Sequence, residues 1–432
     1  MLLSLPATIK ILCVFGLILS LNWLRFQLSL SLFIGSILLG LWMNLDLVQL
    51  LSTALHSIFS LQSMTLILIV GMILVISRLM EVTGHLDRIV KKFSVLSKDE
   101  RITGSMMPAL IGLLPMPGGA LFSAPMVDAA LRKHPITAEA KTAVNYWFRH
   151  IWEYWWPLYP GVVLAVALLN VDTWRFMAIM CPLTIVTVLA GVIFILRPIG
   201  KTIDHSGGSF CWSDFRMFLW EAMPIFIVII VIMVLAGIMS GLNAAGIHVK
   251  IPGGVSILPG LVASTIWVWV VNRIPGKQVR SAFFRRQILP MLLLVAAIMF
   301  FKGVMTDSRA VLEIRNELMA YGIPILLIIL VMPFFSGLIT GIAIGFVGIS
   351  FPLIIPMFPT HSMFEYLLFA AVAYAFGYMG MMLSPVHLCF LVTKDYFKAG
   401  LLGSYRHLIL PAATVMITSL LIFMLLRALL NI

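Results

Sequence analysis

The amino-acid sequence predicts an all-α polytopic membrane protein. About ten transmembrane helices plus two re-entrant hairpins are expected, arranged as inverted-topology repeats over 28–197 and 253–430. Three observations predict it. Of 432 residues, 61% are hydrophobic and 11% charged, where soluble domains carry about 25% charged residues; the mean hydropathy is +1.08. Two apolar stretches, 105–131 and 322–358, hold prolines and glycines too densely for one continuous helix. Finally, markers in the first half of the chain recur in the second at a nearly constant offset. This composition excludes a soluble enzyme, a disordered chain and a nucleic-acid-binding protein. The net charge of +12 fits the Lys and Arg that collect in cytoplasmic loops.

A spanning helix takes about 20 mainly apolar residues. The candidates are 9–24, 28–46, 62–80, 141–169, 173–197, 218–241, 253–272, 287–304, 363–392 and 408–430. Segment 1–27 reads as an extra N-terminal helix that is retained, because no A-x-A cleavage site follows and a second apolar segment starts at once. The first repeat, 28–197, then holds hairpin 105–131 and the broken helix 141–169. A linker, 198–252, carries transmembrane helix 218–241. The second repeat, 253–432, holds hairpin 322–358 and the broken helix 363–392.

Charge placement agrees with this topology. With the N-terminus outside and both hairpins returning to the face they entered from, twenty of the 29 Lys and Arg fall in inside loops and six outside. That asymmetry is the positive-inside pattern of a multi-pass protein in the plasma or inner cell membrane. Arg78, Arg149 and Lys302 remain at membrane depth or its edge.

The repeat is marked by Gly35 and Trp42, each 225 residues before Gly260 and Trp267. Arg78 precedes Lys302 by 224, Pro108 precedes Pro333 by 225, Pro125 precedes Pro352 by 227 and Pro157 precedes Pro385 by 228. One intervening span makes the second half enter from the opposite face. Inverted repeats with discontinuous helices are the architecture of secondary transporters, whose substrate sites are built from half-helix ends. Four breaks are visible: PMPGG (115–119), SGLITGIAIG (336–345), WWPLYPG (155–161) and GMMLSPVH (380–387).

The strings NYWFRHIWEYWWPLYPG (145–161), PMPGGALFSAPMV (115–127) and GMMLSPVHLCFLVTKDYF (380–397) resemble the signatures of the ten-helix membrane family known as domain of unknown function 401, in the ion-transporter superfamily. The resemblance implies a fold like that of the dicarboxylate, citrate, gluconate and lactate carriers. It also implies a homodimer with a scaffold and a moving transport domain. The Ser-Asn-Thr tip motif of the sodium-coupled dicarboxylate branch is missing from this sequence.

Ionisable groups inside spans are expensive and default to functional candidates. Arg149, His150 and Glu153 stand just before Pro157. The four-residue spacing places Arg149 and Glu153 on one helix face. An Arg binds a carboxylate with two prongs, while His150 and Glu153 are candidate proton carriers. Candidate substrate ligands are Pro117, Gly118, Gly119, Arg149, Trp156, Ser336, Thr340, Gly341, Ser384 and His387. Trp152, Tyr154, Trp155, Trp156 and Tyr159 read either as interfacial anchors or as cavity walls, and Lys302 and Arg78 as side chains that snorkel.

The expected activity is a secondary active carrier of a small organic anion, a carboxylate, coupled to protons or sodium. No metal or organic cofactor is expected; the partners are the solute, the bilayer and a second copy of the chain. A cation/proton antiporter is the second reading and a membrane-embedded enzyme the third. No nucleotide-binding glycine loop occurs in the sequence.

Overall fold

Hydrocarbon offers backbone amides no water, so a chain this apolar satisfies them internally, as helix. The structure, a computed structural model, describes residues 5–85, 88, 99–113, 115, 119–132, 136–199, 212–247, 254–284, 288–322, 324–359 and 361–430. Among the described residues there are twenty α-helices and no β-sheet. In the first half these are α1 (Ala7–Trp23), α2 (Leu28–Trp42), α3 (Leu47–Ile58), α4 (Leu61–Val82), α5 (Glu100–Ile111), α6 (Gly119–Ala130), α7 (Ala138–Arg149), α8 (Pro160–Leu169) and α9 (Thr173–Gly191). The middle holds α10 (Trp212–Glu221) and α11 (Met223–Ala244). Then follow α12 (Ile257–Val271), α13 (Gly276–Phe283), α14 (Ile288–Asp307), α15 (Ala310–Ala320), α16 (Ile325–Thr340), α17 (Ala343–Ile354), α18 (Met363–Met382), α19 (Leu388–Phe397) and α20 (Leu401–Leu429).

Among the described residues, six helices are long and apolar enough to cross a membrane: Leu61–Val82, Thr173–Leu196 (α9 with its π-helical end), Met223–Ala244, Ile288–Asp307, Met363–Met382 and Leu401–Leu429. The chain is therefore a multi-pass membrane protein. Other apolar helices are shorter, among them α1, α2, α8, α12, α16 and α17. At 1.5 Å per residue, a ten-residue helix such as α8 reaches only about 15 Å, half the hydrocarbon thickness.

Helix order in the second half repeats that of the first. Helices α2 to α9 have counterparts, in sequence, in α12 to α14 and α16 to α20. Packing is reciprocal as well: α6 contacts α19 while α17 contacts α8, and α4 contacts α12 while α14 contacts α2. Two segments fold as helical hairpins. In α5–α6 the start of one leg, at Gly104, lies against Leu131 just past the end of the other. In α16–α17 the two legs pack against each other, and Leu327, Met332, Leu353 and Met357 line one cavity. Met116, Pro117 and Gly118, in the link between α5 and α6, lie outside the described residues.

The turn between α16 and α17 needs a glycine. Gly341 caps α16 with φ +64°, a left-handed conformation that costs a residue with a Cβ. A Cβ there would also stand 3.0 Å from both the His387 amide nitrogen and Ser384 Oγ. The hairpin tip is thus seated on the 383–387 break.

The start of helix α1 is tied to α15 by the Glu317 side chain. The Glu317 carboxylate accepts from the Ala7 and Thr8 amides at 2.7 and 2.8 Å and from the Thr8 hydroxyl at 2.7 Å. It caps the helix in trans. Glu317→Ala removes three acceptor contacts, and a loss of about 1–2 kcal/mol is expected by analogy with an N-cap deletion. Thermal unfolding of the detergent-solubilised protein would read this as a lower midpoint.

Candidate functional site

Helix α7 stops at Arg149, and residues 150–159 run as turns before α8 restarts at Pro160. Pro157 disfavours helical backbone at Trp156, and Pro160 is suited to a first helical position. Carbonyls freed by such a break need donors. Tyr378 and Tyr374, one turn apart on α18, donate their hydroxyls to the His150 and Glu153 carbonyls at 2.5 and 2.9 Å. Thr184 donates to the Ile151 carbonyl at 2.8 Å.

The same segment grips the first hairpin. Trp152 and Trp156 donate indole N–H groups to the Ala109 and Leu113 carbonyls at 2.8 and 2.9 Å, and the Tyr159 hydroxyl donates to the Gly112 carbonyl. Trp156 is committed to this brace. The second break, 383–387, is held reciprocally. Tyr146 of α7 donates to the Met382 carbonyl at 3.0 Å, and Tyr405 of α20 to the Leu383 carbonyl at 3.1 Å. Tyr378→Phe leaves the buried His150 carbonyl with only the long Glu153 amide contact at 3.4 Å. The expected cost is about 0.5–1.5 kcal/mol, visible as an earlier thermal midpoint with the secondary structure unchanged.

Between the two breaks lies a buried cluster of ionisable side chains. Arg149 is only 3% exposed and His150 1%. Arg149 Nη1 stands 3.3 Å from Cys389 Sγ and 3.5 Å from His150 Nε2. His150 Nδ1 donates to the Tyr146 carbonyl at 2.6 Å, so Nε2 faces the cluster. The Glu153 carboxylate lies 3.8 Å from that Nε2. The His387 ring packs edge-on against His150, centroids 5.0 Å apart, and against Tyr146 at 5.3 Å. His387 Nδ1 is buried with no hydrogen-bond partner among the described residues.

Several half-helix beginnings border this cluster. Gly161, at the start of α8, packs against Ala343, the first residue of α17. His387 is the N-cap of α19 and touches Gly341, two residues before α17. Asn145 ties in the start of α6, donating to the Ala120 carbonyl at 3.2 Å and to Thr393 Oγ1 of α19 at 3.0 Å. Helix N-termini carry partial positive charge and favour anions. Added to the Arg149 guanidinium, they make a concentrated positive field in a buried place.

Six of the sequence candidates meet here: Arg149, His150, Glu153, Gly341, Ser384 and His387. Gly119 opens α6 beside Ala120. Thr340 donates its hydroxyl back to the Ser336 carbonyl at 2.7 Å, and Ser336 Oγ is buried without a partner among the described residues. The expected common helix face of Arg149 and Glu153 does not exist, because α7 ends at Arg149; Glu153 reaches His150 across a turn instead. Lys302 does not simply snorkel: its ammonium meets Gln62 Oε1 at 3.2 Å, and Gln62 donates to the Ala167 carbonyl at 2.6 Å. Arg78 pairs with Glu81 at 2.8 Å. Sequence reasoning missed Asn145, Tyr146, Tyr374, Tyr378 and Cys389. For Cys389 a signal existed, since it stands two residues after His387 at the start of the same half-helix.

Fold and site together define a multi-pass helical membrane protein with two broken helices gathered around a buried arginine. The chain belongs to the family described as protein of unknown function (DUF401), which it matches over residues 7–426. No curated protein matches it.

Proposed function

We propose that the protein is a secondary active transporter of a small organic anion, a carboxylate, working by alternating access and coupled to protons or sodium. One observation carries the reading: the Arg149 guanidinium is buried where helix breaks and half-helix N-termini gather. A buried cation flanked by positive helix ends is a receptor for negative charge. The His150 and His387 imidazoles and the Ser384 hydroxyl add hydrogen-bond capacity.

In this reading α5–α6 and α16–α17 are re-entrant hairpins entering from opposite faces of the plasma or inner cell membrane. The repeats 28–197 and 253–430 are inverted, with ten crossings in all, the N-terminus outside and two copies forming a homodimer. The reciprocal packing supports an exchange of roles between the halves, which is how inverted repeats alternate access. It also favours a carrier over a membrane-embedded enzyme. A cation/proton antiporter is the second reading, favoured by the His150–Glu153 pair at 3.8 Å.

Thermal unfolding of purified protein, with a series of mono- and dicarboxylates at several pH and sodium values, tests the site. Stabilisation by a carboxylate, lost in Arg149→Gln, is expected; stabilisation by sodium or pH alone points to the antiporter. For coupling, Glu153→Gln keeps the shape and removes the proton-holding carboxylate. Under proton coupling, uptake driven by a pH gradient falls at least about tenfold while solute exchange persists. Normal pH-driven uptake by the Glu153→Gln protein excludes Glu153 from coupling.

A further inference from the structure

The geometry points to a second occupant of the same cluster: His150, His387 and Cys389 form a site for a single Zn²⁺-like cation, which enters by displacing the Arg149 guanidinium. The ligand atoms of these three residues all lie within 4.8 Å of one another. Tetrahedral zinc, with bonds of about 2.0–2.1 Å to nitrogen and about 2.3 Å to sulfur, needs ligand–ligand separations of roughly 3.4–3.8 Å. A contraction of about 1 Å at the widest pair would close the shell. Two imidazoles and a thiol are also the donor set that borderline-soft d¹⁰ cations prefer.

Two further observations mark the trio as ligand-ready. His150 Nδ1 is anchored on the Tyr146 carbonyl at 2.6 Å, which fixes the ring and leaves Nε2 with its lone pair toward the cluster. A ring N–H held by a backbone carbonyl is the usual outer-shell support of a metal-bound histidine. His387, 6% exposed, keeps a buried Nδ1 with no hydrogen-bond partner among the described residues. A fourth ligand is at hand in Glu153, whose carboxylate stands 3.8 Å from His150 Nε2.

Arg149 Nη1, 3.3 Å from Cys389 Sγ and 3.5 Å from His150 Nε2, already places a positive charge between these donors. Metal and guanidinium compete for one position. On ligation the Cys389 S–H bond is replaced by S–Zn and one proton is released. Zinc therefore acts against the anion: it expels the arginine on which the proposed transport site depends. The metal site stands on its own geometry, and binding tests it without any transport measurement.

Titration of the purified full chain with Co²⁺, a spectroscopic substitute for Zn²⁺, reads thiolate ligation directly as near-ultraviolet charge-transfer absorption. One equivalent is expected to bind to wild type, and excess Zn²⁺ to bleach the band. The band should vanish in Cys389→Ser. In Arg149→Gln the affinity should rise by about tenfold or more, because a like charge is removed. Circular dichroism checks that each variant is folded, and the wild type and Cys389→Ser decide the matter if Arg149→Gln does not fold. No charge-transfer band in wild type, or an unchanged band in folded Cys389→Ser, overturns the proposal.

Discussion

Arg149→Gln is expected to lower carboxylate uptake by roughly 30-fold to 4,000-fold per folded molecule. Removing one partner of a buried, charged hydrogen-bonding pair costs about 2–5 kcal/mol, and each 1.4 kcal/mol is tenfold. The side chain sits where no water can substitute for it, 3% exposed at the end of α7. Arg149→Lys should also fail, though less completely, since an ammonium keeps the charge and loses the planar fork that grips a carboxylate. Uptake into proteoliposomes, normalised to correctly folded protein by gel filtration and circular dichroism, measures both. If Arg149 only neutralises Glu153, the two variants lose stability instead, and the surviving protein transports normally.

Gly341→Ala should abolish transport and lower stability together. The residue has φ +64°, a conformation that costs a Cβ-bearing residue about 1–2 kcal/mol. The new methyl would stand 3.0 Å from the His387 amide nitrogen and from Ser384 Oγ, adding overpacking of about 1–3 kcal/mol. Both groups belong to the second break, so the strain falls on the cluster itself. Gly237→Ala on α11, where a Cβ meets nothing within 4 Å, serves as the control and should leave stability and uptake intact. A Gly341→Ala protein with wild-type uptake would place the working site away from this tip.

Much of this architecture is legible in the sequence because prolines and glycines punctuate it. Pro157 lies within the first break and Pro160 starts the next helix, and Pro385 marks the second break at the corresponding place. Apolar runs, in contrast, do not show where backbone leaves the helix. Segment 141–169 reads as a helix broken at WWPLYPG (155–161), whereas the helix already ends at Arg149 and residues 150–159 are non-helical throughout. That is why helix periodicity misplaced Glu153 relative to Arg149.

The aromatic cluster was ambiguous for a related reason. Trp152, Trp156 and Tyr159 suit an interface or a cavity wall equally well in sequence. Their role as donors to the Ala109, Leu113 and Gly112 carbonyls depends on the α5–α6 hairpin arriving beside the break. Cys389, Tyr374 and Tyr378 look like ordinary apolar positions of α19 and α18, and only the packing of α18 on α17 and of α19 on α7 brings them to Arg149 and His150.

The central claim, that the Arg149 cluster is a carboxylate site in an alternating-access carrier, is tested most directly by radiolabelled uptake. Purified protein in proteoliposomes is supplied with a series of small carboxylates under imposed pH and sodium gradients. The account predicts concentrative uptake of at least one carboxylate, dependent on a gradient and lost in Arg149→Gln. Equal uptake by folded wild type and Arg149→Gln, or no gradient-driven uptake of any carboxylate by wild type, would contradict it.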